Sequence, residues 1–65
     1  MNTITLEGVG SIFAGKNDQE AAKCFDKYME IVKNPQYNFY KKTIVWWKKI
    51  NGKIELIKMF KPFED

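Results

Sequence analysis

The order of hydrophobic patterns along these 65 residues predicts one small α+β domain, β-α-β-β, with a single helix packed on a three-stranded sheet. Three observations carry that expectation: an alternating run at 3–13, a capped amphipathic run that begins at Asn17, and two alternating runs joined by Asn51-Gly52.

In the first run, TITLEGVGSIF, residues Ile4, Leu6 and Ile12 fall on one face and Thr3, Thr5, Glu7 and Ser11 on the other. Gly8 and Gly10 interrupt it. Glycine inside a strand pattern marks a bulge or a close backbone approach, so the segment reads as a bent strand or two short ones. The helix opens at Asn17, followed three residues later by Glu20, the spacing at which side chains satisfy the first free amides. Ala21, Cys24, Phe25, Tyr28, Ile31 and Val32 then recur every three or four residues, opposite Lys23, Lys27 and Glu30. Asn34-Pro35 ends the helix, because proline cannot continue it and disfavours helical geometry in the residue before.

From Tyr37 onward the chain reads as β-rich. Asn-Gly between alternating runs is the strongest short hairpin signal, since both turn positions need positive φ. A two-residue turn sets Ile50 opposite Lys53. Counting outward, one face carries Trp46 opposite Ile57, Ile44 opposite Met59, Tyr40 opposite Phe63 and the charge pair Lys48 opposite Glu55. That face is expected to cover the helix. The other carries Trp47 opposite Leu56, Thr43 opposite Phe60, Lys49 opposite Ile54 and Val45 opposite Lys58, with Lys41 near its end. One helix covers only one face, so Trp47, Leu56 and Phe60 would meet water. A bulge at Trp46-Trp47 would switch the side of every later residue.

Length and composition bound the chemistry. Sixty-five residues make one domain near the size limit for a core without staples. Cys24 is the only cysteine and histidine is absent, so neither an intrachain disulfide nor the usual zinc ligand set is expected, and no cofactor is implied. The sequence shows neither a membrane-length apolar run nor a secretory signal at residues 1–15, which points to a soluble, cytoplasmic protein without a membrane partner.

No catalytic signature survives inspection. Gly10–Lys16 fits the G-x-x-x-x-G-K core of a phosphate-binding loop, but Asn17 stands where a hydroxyl would hold magnesium. Asp18 and Glu20 also place negative charge where a phosphate would bind. Cys24 has no histidine to activate it and lies on the apolar stripe, so it reads as a core residue. Asp26 and Glu30, interleaved with Lys23 and Lys27, read as a solvated helix face. A non-enzymatic binding protein is the expectation.

Charge and aromatic distribution indicate where binding would occur. Residues 1–35 hold four lysines against five acids, whereas residues 36–63 hold seven lysines against Glu55 alone; Glu64 and Asp65 follow. The same hairpin region holds Tyr37, Phe39, Tyr40, Trp46, Trp47, Phe60 and Phe63. Lysines beside exposed rings suit single-stranded nucleic acid, with ammonium groups on phosphates and rings on bases. The expected site is Lys41, Thr43, Trp47, Lys49, Leu56, Lys58 and Phe60. The alternative is a protein partner at the same face, for instance a larger enzyme inhibited by a small, virus-encoded chain, with the rings as a hot spot. A homodimer through this patch is a third expectation.

Overall fold

The computed structural model describes residues 1–62 and has the element order β1 (Asn2–Leu6), β2 (Gly10–Gly15), α1 (Asp18–Lys33), β3 (Ile44–Ile50) and β4 (Lys53–Phe60). The α+β class is as the sequence predicts, but the sheet has four strands, not three, in the order β2-β1-β3-β4 with every neighbouring pair antiparallel. The extra strand comes from the two glycines. Gly8 and Gly10 adopt φ of 75° and 112°, and Val9 N–H closes onto Leu6 O at 3.0 Å, so the first run folds back on itself. Its halves pair with Ile12 as an extra residue on β2.

The helix is capped as its sequence requires. Asn17 Oδ1 accepts the Glu20 N–H at 3.0 Å, and Asn34 ends the helix with its N–H donated to Ile31 O. α1 carries the chain from edge strand β2 to β3 and packs on β1, β2 and β3. β2 and β3 are therefore parallel, with β1 filling the gap between them. The core under the helix is Ile4, Leu6, Ala21, Phe25, Val32 and Ile44, with Ile12, Phe13, Cys24, Tyr28, Trp46 and Phe60 packed around it.

Two expectations about the hairpin segment are corrected. The residues from Tyr37 to Lys41 form turns rather than strand, with Lys41 at φ 71° and its N–H donated to Val32 O at 2.9 Å. Tyr40 is thus not a strand residue, and its expected partner Phe63 lies outside the described residues. The Asn51-Gly52 turn does form, with φ of 50° and 80°, and the predicted register holds for Ile50–Lys53, Lys49–Ile54, Lys48–Glu55 and Trp47–Leu56. Beyond Trp47 it slips by one. Ile57 is an extra residue on β4, so Trp46 faces Lys58, Val45 faces Met59 and Ile44 faces Phe60. A bulge reverses the side of each later residue, and this one turns the Phe60 ring toward the core beside Ile44 while moving Met59 outward.

Candidate functional site

The sheet has a covered face and an open one. On the covered side, alternation from buried Ile4, Leu6 and Ile44 brings Trp46 and Lys48 toward α1. A chain of polar contacts closes that end of the core: Trp46 Nε1 donates to Asn2 Oδ1 at 3.0 Å, Asn2 Nδ2 donates to Asp18 Oδ1 at 2.8 Å, and Lys48 Nζ donates to Asp18 Oδ2 at 2.9 Å. Asn2 is fully buried. Its bonds to Asn2 and Lys48 hold the Asp18 carboxyl below the usual carboxylate range.

On the open side the rows run Met1–Lys49–Ile54, then Thr3–Trp47–Leu56, then Thr5–Val45–Met59. Thr43 and Glu7 end the face, joined by Glu7 N–H to Thr43 O at 2.9 Å and Thr43 N–H to Glu7 Oε1 at 3.1 Å. Apolar side chains dominate it: Ile54 is 69% exposed, and Met1, Leu56 and Met59 are exposed as well. Met1, Thr3, Trp47, Lys49 and Ile54 line a shallow depression of about 430 Å³.

The structure brings together only part of the sequence-derived site. Trp47, Lys49 and Leu56 share the open face, and Thr43 stands at its end. Lys58 and Phe60 do not, because the bulge turns them to the helix side, where Lys58 Nζ lies 5.1 Å from the Phe25 ring centre and Lys33 Nζ lies 5.7 Å from that of Phe60. Lys41 sits in the turn after the helix with its ammonium 5.5 Å from the Tyr40 ring centre. Met1, Thr3 and Met59 were not in the sequence-derived set. Thr3 was legible from its alternation with Ile4, whereas Met59 reaches the face only through the bulge.

The remaining sequence motifs find structural roles. Gly10–Gly15 is an extended edge strand rather than a loop curled around a phosphate. Cys24 is half-buried against the core, and burial pushes its thiol up, against a smaller opposing effect of Lys27. A second depression, about 680 Å³, lies at the helix C-terminal end and includes Glu30 and Lys33, which pair with each other at 3.6 Å. Among the described residues no group of His, Cys, Asp and Glu stands together in a way that could hold a metal ion, and no helix is long and apolar enough to cross a membrane. No protein-family model matches the chain, and no curated protein or solved structure matches it significantly.

Proposed function

We propose that the chain is a non-enzymatic binding protein and that the open face of its sheet is the working surface, covered in use by another protein surface. The observation that supports this reading is the chemistry of that face. Of the four lysines in β3 and β4, Lys49 alone stands on it; Lys48 and Lys58 turn to the helix side, and Lys53 alternates to that side with Glu55. A surface that follows nucleic-acid phosphates needs several cations in line with its rings. A surface that takes another protein needs a desolvatable aromatic and aliphatic centre with few charges, which Trp47, Leu56, Ile54, Val45 and Met59 supply. Covering a site on a larger enzyme is one form of this function, and an intracellular place of action suits the lone Cys24.

The test is a titration with single-stranded DNA and RNA at low and moderate salt, followed by tryptophan fluorescence, in parallel with protein capture by the wild type and by Trp47→Lys. The reading expects no salt-sensitive quenching, and a protein retained by the wild type but lost by Trp47→Lys. Quenching that weakens with salt and disappears in Trp47→Ala would replace it with nucleic-acid binding through Trp47 and Lys49.

A further inference from the structure

We infer that the occupant of the open face is a second copy of this chain, packed face to face with its strands antiparallel to those of the first. The inference rests on reading that face as an interface, and the pattern of charge along it selects the partner. Lys49 stands at one end, beside the Asn51-Gly52 turn, and forms no ion pair among the described residues. Glu7 stands at the other end, exposed, with Oε1 accepting the Thr43 N–H. The rows between them, Thr3–Trp47–Leu56 and Thr5–Val45–Met59, are uncharged. Lys42 approaches the adjacent turn, where a Cβ on Gly8 would lie 3.4 Å from its Nζ, but it makes no salt bridge to Glu7.

A face with a cation at one end and an anion at the other is complementary to itself in one orientation only. A two-fold axis parallel to the strands would set Lys49 beside the partner's Lys49. An axis in the interface plane and across the strands lays each Lys49 on the partner's Thr43–Glu7 row, one strand spacing of about 4.8 Å to the side of the carboxylate and within reach of it for a lysine side chain. The same operation lays the Trp47 row on the partner's Val45 row, so both rings meet aliphatic groups, with the sheets about 10 Å apart and their strands about 30° from alignment.

The area suffices for such a pair. Four strands spaced about 4.8 Å apart, each spanning six residues at about 3.3 Å, present about 400 Å² of projected sheet per copy. With side-chain relief, two such faces reach the about 1,200 Å² at which stable interfaces begin.

Sedimentation from micromolar to millimolar concentration tests this, with circular dichroism confirming that each variant folds. The expected result is a wild-type dimer, a monomeric Trp47→Lys, and dissociation constants raised about tenfold by Lys49→Glu or Glu7→Lys alone. The double variant Lys49→Glu/Glu7→Lys should return to within about threefold of the wild type. A wild type that stays monomeric at millimolar concentration overturns the second copy, yet leaves the face as an interface for another protein, which the capture comparison reads by itself. A dimer indifferent to Trp47→Lys, or one that the double variant fails to restore, overturns the inference as well.

Discussion

At the scale of single residues, Asn2 is the most constrained polar group described. It is buried completely, yet both ends of its amide are used, one by the Trp46 indole and one by Asp18. Asn2→Ala would leave the indole N–H without its acceptor and cost about 1–3 kcal/mol, readable as a lowered urea midpoint. The network also makes stability depend on pH with a definite sign. The folded-state pKa of Asp18 lies below its ordinary value of 3.8, so its contribution is complete above that value and is lost as pH falls through the folded pKa. Thermal melts between neutral pH and about pH 2 should show a shallower acid loss in Asp18→Asn than in the wild type; an identical slope would mean that Asp18 is not coupled to folding.

At the scale of elements, the β4 bulge decides which side chains belong to the fold and which to the surface. Without the extra residue at Ile57, Phe60 would lie on the open face with Leu56; with it, Phe60 faces Ile44 and packs against the core. Phe60→Ala should therefore destabilise the protein by about 2 kcal/mol, less than for a fully buried ring because Phe60 is only half-buried. Leu56→Ala, on the open side, should change the stability of the monomeric Trp47→Lys background by under about 0.5 kcal/mol. Urea unfolding of the two variants in that background distinguishes the bulged register from the unbroken one, in which the two effects would be alike. The bulge also serves the edge. β4 leaves one row of backbone groups unpaired, and a bulge at Ile57, with Lys58 next to it and Glu55 two residues before, discourages a stray strand from adding there.

At the scale of the whole molecule, the chain buries one side of a sheet and leaves the other exposed. Its accessible surface is 4677 Å², against about 4,300 Å² for a compact monomer of 7.7 kDa. The helix reaches β1, β2 and β3, and every residue of β4 from Lys53 to Met59 is exposed. A fold of this size gains stability from whatever closes the open face. If a second copy closes it, the melting temperature should rise by about 3–5 °C for each tenfold increase in protein concentration, and should be independent of concentration in Trp47→Lys.

Much of this architecture was legible in local sequence. Asn17 and Glu20 fixed the helix start, Asn34-Pro35 its end, and Asn51-Gly52 the hairpin, because caps and turns are decided by a few neighbouring residues and their φ preferences. The pairing close to that turn, including Trp47 with Leu56 and Lys49 with Ile54, followed from the same local rule. Tertiary structure decided the rest. Two glycines were compatible with a bend or with a full reversal, and only the packing of β2 beside β1 under the helix selects the reversal. The sequence marked Trp46-Trp47 as a place for a register slip without deciding it, since the outcome rests on whether Phe60 or Met59 packs better beside Ile44. That choice moved Lys58 and Phe60 off the open face and left its centre mostly apolar, because one extra residue reverses the side of every residue beyond it.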